Sequence, residues 1–130
     1  AAIAALKAEG CKAILVDFHA EATSEKTAMG HFLDGKVSAV VGTHTHVQTA
    51  DERLLPGGTA FISDVGMCGP RDSIIGVRKE LVLERFLTQR PVSFEPAKKD
   101  VWIHAVLIDV DDATGLARSI ERVQERAEES

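Results

Sequence analysis

The chain has 130 residues, 45% hydrophobic and 27% charged, which gives enough apolar material for one compact domain spanning residues 1–130 and argues against wholesale disorder. A formal charge of −5 and a pI near 5.5 leave no basic stripe, so a surface that tracks duplex nucleic acid along its phosphates is excluded. No apolar stretch approaches the roughly 20 residues of a membrane-spanning helix. Cys11 and Cys68 fit no Cys-x-x-Cys pattern, so both thiols are expected unpaired and the expected compartment is the cytoplasm.

Residues 1–9 predict a helix rich in Ala, Leu, Lys and Glu, stopped by Gly10. Residues 12–18 predict a strand, apolar on both faces as a central parallel strand is. Thr23 or Ser24 is placed to cap a helix running to Leu33, with Glu25 in its first turn and Asp34-Gly35 at its end. Residues 37–41 predict the next strand. The order α-β-α-β predicts right-handed crossovers and a mostly parallel sheet. Leu54 to Gly58 reads as a turn before a short strand over 59–63, and residues 64–76 as an ordered glycine-rich loop. Residues 77–89 predict an amphipathic helix with Leu81, Leu83 and Phe86 as buried anchors, stopped by Arg90-Pro91. A polar connection leads to a strand over 102–110, a turn over 111–115 and a returning hairpin strand over 116–123. The charged tail, 124–130, is expected to fray. A parallel layer with one open side predicts a sheet edge that a second copy or a complementary N-terminal segment covers.

The chemistry gathers at strand exits. Gly42-Thr43-His44-Thr45-His46 follows a buried-strand pattern, and two histidines at i and i+2 can aim both imidazoles at one point. His19 ends the earlier strand run, so three of the five histidines lie where open α/β sheets place their ligands. Neutral imidazole is the commonest nitrogen ligand for zinc, iron and related ions. His19, His44 and His46 could hold one zinc with water in the fourth place, or be shared between two ions completed by carboxylates. Asp17 or Glu21 could orient an imidazole from behind, and Thr43 and Thr45 stand ready for the same task or for substrate. Glu25 reads as a solvated helix-start acid, and His31 and His104 as structural. Asp64 and Arg71 belong to a loop in which Arg71 could meet a phosphate bidentately or simply pack.

Three segments are more distinctive than a lone His-x-His. Asp17 to Lys26 (DFHAEATSEK), Gly42 to Asp51 (GTHTHVQTAD) and Asp64 to Met67, with Gly69-Pro70 and Asp72 to Gly76, resemble the YmdB-type metallophosphoesterases of the calcineurin-like superfamily. The resemblance runs in order from about residue 13 to 123. It implies an α/β fold, part of a four-layer α/β/β/α metallophosphoesterase sandwich with a mixed sheet and a C-terminal hairpin. It also implies a dinuclear site of two divalent or trivalent ions, iron or manganese, with zinc as the alternative. His19 and His44 would ligate one ion and His46 the other. The implied reaction is hydrolysis of 2′,3′-cyclic nucleotides or similar phosphodiesters. The resemblance implies further ligands from an N-terminal Asp, a bridging Glu and an Asn, together with a proton-donor His. Those motifs are not in this chain, which contains no asparagine; it resembles the C-terminal half of the family. Two other readings stand beside this one: a non-catalytic half-domain that binds a partner through its open edge, and a mononuclear three-histidine zinc hydrolase.

Overall fold

Residues 1–127 are described by the computed structural model, and their order is α1 (Ala2–Ala8), β1 (Leu15–His19), α2 (Thr23–Leu33), β2 (Ala39–Thr43), β3 (Arg53–Leu54), β4 (Ala60–Ile62), β5 (Gly69–Pro70), α3 (Lys79–Thr88), β6 (Val101–Val110) and β7 (Ala117–Arg126). The chain divides into two units. The first comprises Ala1–Gly66 and Ala105–Val123; the second comprises Met67–His104 and the residues from Gln124 onward.

In the first unit the sheet order is β1-β2-β4-β3, with β1, β2 and β4 parallel and β3 antiparallel to β4. β2 and β4 are the two interior strands, and the run of small and branched residues in β2 is covered on both faces: Ala39, Val40 and Val41 are all buried. On one face α2 lays Lys26, Gly30 and Leu33, spaced four and three apart, against the sheet. Gly30 is the close-approach point, since a Cβ there would sit 2.6 Å from the Phe61 ring. Ile14, Leu33, Val37, Val40, Leu55 and Phe61 form the core on this side. On the other face Ala39 and Ala60 meet Ala117, Ile108 and Ile120 of the β6–β7 hairpin, small side chains letting the two sheets close up. The Asp111–Gly115 turn closes that hairpin, with the Gly115 N–H donating to the Asp111 carbonyl at 2.7 Å and Gly115 at φ +73°. Helix, sheet and hairpin are thus three successive layers, and the mixed α/β class with a C-terminal hairpin is as expected from the sequence.

In the second unit β5 pairs antiparallel with the start of β6, Gly69 opposite Trp102 and Pro70 opposite Val101. The Arg71 guanidinium lies over the Trp102 ring at 4.7 Å, a cation–π contact. Arg126 pairs with Asp100 at 2.8 Å, and the Ala127 N–H donates to the Val101 carbonyl. These contacts carry β7 to Arg126, so 124–126 are strand and not a frayed tail; 128–130 lie outside the described residues.

Other expectations are corrected in physical terms. β1 is an edge strand, with Leu15 63% exposed, because the hairpin covers β2 and β4 but does not reach Leu15. Strand pairing begins at Leu15 and Ala39 and runs through His19 and Thr43, later than the apolar runs suggest. Ala22 is the N-cap of α2, with no side-chain hydrogen bond, so neither Thr23 nor Ser24 caps it. In α3 the buried residue is Val82; Leu83 and Phe86 are exposed, and nothing among the described residues covers that face. β3 falls in a segment too short for a periodic signal. No helix among the described residues is long and apolar enough to cross a membrane.

Gly42 fixes the exit of β2. A Cβ there would stand 1.9 Å from the Ser63 carbonyl oxygen and 2.8 Å from Lys26 Cδ. The first contact is with backbone, so no side-chain rotation relieves it. Gly42→Ala is expected to lower stability by about 2–3 kcal/mol or more, as overpacking of a closed core does. The urea midpoint measures this, and an unchanged midpoint would show the exit to be slack.

Candidate functional site

Parallel pairing of β1 with β2 sets His19 opposite Thr43 at the carboxyl ends of both strands. The Thr43 hydroxyl donates to Asp17 Oδ1 at 3.1 Å, so its lone pairs face the His19 ring, where Nδ1 is 3.1 Å away. A hydroxyl whose proton is committed to a carboxylate can only accept, which places the imidazole proton on Nδ1 of His19 and leaves Nε2 with a free lone pair. Asp17 therefore acts on the ring through Thr43 and not by direct contact.

The next residue turns the chain back. His44 has φ 136° and His46 has φ 64°, both in the region that side-chain-bearing residues avoid. His44 Nδ1 comes to 3.3 Å from His19 Nε2, with ring centroids 5.1 Å apart and planes 73° to each other. Both rings are exposed. Two nitrogens bound to one ion at about 2.0–2.1 Å in tetrahedral array stand about 3.3 Å apart, so the spacing fits a shared ion as well as it fits a hydrogen bond. Among the described residues no group of three His, Cys, Asp or Glu side chains is close enough to hold an ion. The structure thus brings His19, His44, Thr43 and Asp17 together, while neither His46 nor Glu21 completes a three-donor group. Thr45 turns its hydroxyl to the Val47 carbonyl at 3.0 Å, closing the loop on itself. Glu21 and Glu25 are exposed, His31 is exposed in the last turn of α2, and His104 Nδ1 lies 2.9 Å from the Met67 carbonyl.

Two residues not singled out as a pair from the sequence hold the loop. The Lys26 and Asp64 side chains are each only 1% exposed and meet at 3.3 Å. The other Asp64 contacts are amides: Thr45 N–H to Oδ2 at 2.8 Å and Gly66 N–H to Oδ1 at 2.9 Å. Burial alone pushes the Asp64 carboxyl up, but the Thr45 and Gly66 amides, with Lys26, outweigh it and hold it below its ordinary value. Behind it, Thr49 Oγ1 donates to Asp51 at 2.6 Å and accepts from the Asp64 N–H at 3.0 Å and from Ser63 Oγ. The available signal was position: Lys26 lies on the stripe of α2 that Gly30 and Leu33 mark as buried.

A family model described as YmdB-like protein matches residues 1–123. The chain is 57% identical, over 110 residues, to the 2′,3′-cyclic-nucleotide 2′-phosphodiesterase of Bacillus subtilis (strain 168), an alignment that covers 85% of this chain and 42% of that protein. It is similar to the crystal structure of a hypothetical protein from Thermus thermophilus, with TM-score 0.83 and 45% identity over 95% of this chain and 48% of that one. It is also similar to a structure described as a novel phosphatase from Mycoplasma pneumoniae, with TM-score 0.82 and 39% identity over 95% of this chain and 46% of that one. The chain spans less than half the length of these relatives.

Asp64 makes stability depend on acid. Its folded carboxyl titrates below the ordinary value of 3.8, so its contribution is complete above that value and is lost as pH falls through it toward the lower folded value. The urea midpoint is expected to drop below about pH 4, and to drop less steeply in Asp64→Asn. Parallel acid profiles for the two proteins would contradict the assignment. At neutral pH, Asp64→Ala leaves the Lys26 ammonium alone in the core and is expected to cost about 3–5 kcal/mol.

Proposed function

The chain belongs to the YmdB-like protein family, and from that premise we propose that it is the imidazole-bearing half of a phosphoesterase that hydrolyses 2′,3′-cyclic nucleotides or similar phosphodiesters at a dinuclear metal site. The observation that carries this reading is the pair of ring nitrogens, His19 Nε2 and His44 Nδ1, 3.3 Å apart at adjacent strand exits. The 57% identity to a protein named as a 2′,3′-cyclic-nucleotide 2′-phosphodiesterase supports the substrate class.

In this reading His19 and His44 hold one ion. His46, outside the pair, serves the second. Iron or manganese is the expected metal, with zinc as the alternative, because imidazole suits all three. When bound, the metals supply Lewis-acid polarisation of the phosphodiester and a nucleophile at neutral pH. This chain's own residues prepare for them. Asp17 and Thr43 keep the His19 proton on Nδ1, so Nε2 presents its lone pair forward. The turn at His44 brings its ring to the same point. The acidic and asparagine ligands and the proton-donor histidine would come from residues outside this chain. A single ion held by three histidines is less well supported, since no third donor stands at the pair among the described residues.

The open edge of β1, with Leu15 63% exposed, and the neighbouring α2, with Phe32 67% exposed, favour a partner that covers them: the complementary half of the phosphoesterase, or a second copy. The same edge is what favours the alternative of a non-catalytic binding module. Two free, exposed cysteines suit a reducing compartment, the cytoplasm.

His44→Ala in the complete protein separates these readings. Bound metal, counted by elemental mass spectrometry, is expected to fall. Turnover of 2′,3′-cyclic AMP should drop at least about 100-fold, beyond the range for losing an outer orienting partner. Full metal content and full turnover in that variant would end the ligand assignment. A protein with no metal and no hydrolysis, yet a tight complex through the β1 edge, would favour the module.

A further inference from the structure

We propose that Lys26 and Asp64 form a positioning pair that holds the His44–Thr45–His46 loop in its metal-receiving shape before any metal arrives. The inference rests on the reading that these histidines ligate metal. It adds two residues, buried in the first unit, that touch neither ion nor substrate.

The loop needs an external hold. His44 at φ 136° and His46 at φ 64° flank Thr45, and each of these conformations is disfavoured for a residue with a side chain. An exposed loop with two such residues relaxes unless its backbone is tied. The tie is the Thr45 N–H, the amide between the two histidines, which donates to Asp64 Oδ2 at 2.8 Å. Asp64 is in turn fixed from the far side: Gly66 N–H donates to Oδ1, and the Lys26 ammonium pairs with Oδ2 at 3.3 Å. Lys26 passes close over Gly42 on its way, where a Cβ would stand 2.8 Å from Lys26 Cδ. The pair therefore connects the buried stripe of α2 to the one amide that sets the direction of both imidazoles.

The test uses the complete protein and the double variant Lys26→Met, Asp64→Ala, which removes both charges, so strands neither, and leaves the Thr45 N–H no side-chain acceptor at position 64. The first readout is made without metal. Long-range nitrogen–proton spectra of the imidazoles report whether His44 Nδ1 still faces His19 Nε2. The second is Mn2+ affinity by competition with a chelator. With the fold retained, the double variant is expected to lose the imidazole contact and to bind Mn2+ roughly 10- to 100-fold more weakly, the range for partners that orient ligands. Retained contact and affinity within about twofold would overturn the proposal, being well short of that range. His44→Ala in the same titration keeps the two ideas separate. If that variant also binds Mn2+ normally, the metal-ligand reading itself has failed; if it alone loses Mn2+, only the positioning role has. Should the double variant not fold, hydrogen exchange on the unaltered protein decides. The Thr45 amide is expected to be protected like the amides of β2, and exchange at the rate of an open loop would refute the tie.

Discussion

A single buried carboxylate organises this site. Asp64 sits at the end of the short third parallel strand, out of water, and a lone charge there would be prohibitive. It is tolerated because its oxygens receive two backbone amides and the ammonium of Lys26. Those donors come from three stretches of chain: the His-x-His loop, the segment after β4, and α2. Satisfying one charge therefore fixes three segments relative to one another. Stability gained from such a pair is small against its desolvation cost, whereas its directionality is not. Apolar residues of the same volume would fill the space, but they would not choose which amide of the loop points inward.

The backbone at the two histidines carries the complementary half of that argument. Each positive φ costs of order 1–3 kcal/mol for a residue with a side chain, and glycine would adopt it freely. Keeping imidazoles there is consistent with rings that are wanted and with a backbone that is held. The hold is visible in the Thr45 amide, in the Thr45 hydroxyl turned to Val47, and in the Val65 N–H donating to the Gly42 carbonyl. Strain and restraint occur within a few residues of each other, as they do where geometry serves chemistry.

Much of this could be read from the sequence, for identifiable reasons. The run Val37 to Val41 is apolar without alternation, and it is the buried centre of the sheet. α2 ends at Leu33 because Asp34 and Gly35 stop it. The hairpin turn is visible in Asp111 to Gly115. The histidines stand out because they follow strand patterns. What stayed hidden depends on neighbours. Residues 12–18 look central by composition, yet the edge position of β1 is set by which strands the chain contains. Phe86 looks like an anchor by periodicity, yet a helix buries a face only where something lies against it, and here Val82 alone is buried. Lys26 looks like a surface lysine in a charged helix start. Its burial is settled 38 residues away, by Asp64.

Register is the last element that makes the pair of imidazoles possible. Antiparallel neighbours would send the ends of β1 and β2 to opposite edges of the sheet; parallel pairing sends both carboxyl ends to one edge. Within that constraint the alignment must be right to a single residue. His19 opposite Thr43 puts a hydroxyl beside Nδ1, with Asp17 two residues back on the same face to accept its proton. A slip of one would turn His19 to the helix side of the sheet, lift Val16 and Phe18 out of the core there, and break the chain from carboxylate to hydroxyl to ring. The slip is prevented far from the histidines, at the other end of the strands. There the Ile14 amide donates to Ser38 Oγ, and the Ile14 carbonyl accepts from the Ser38 amide, anchoring the two chains before pairing begins. The direction of an imidazole at the top of the sheet is thus decided in part by a serine at the bottom.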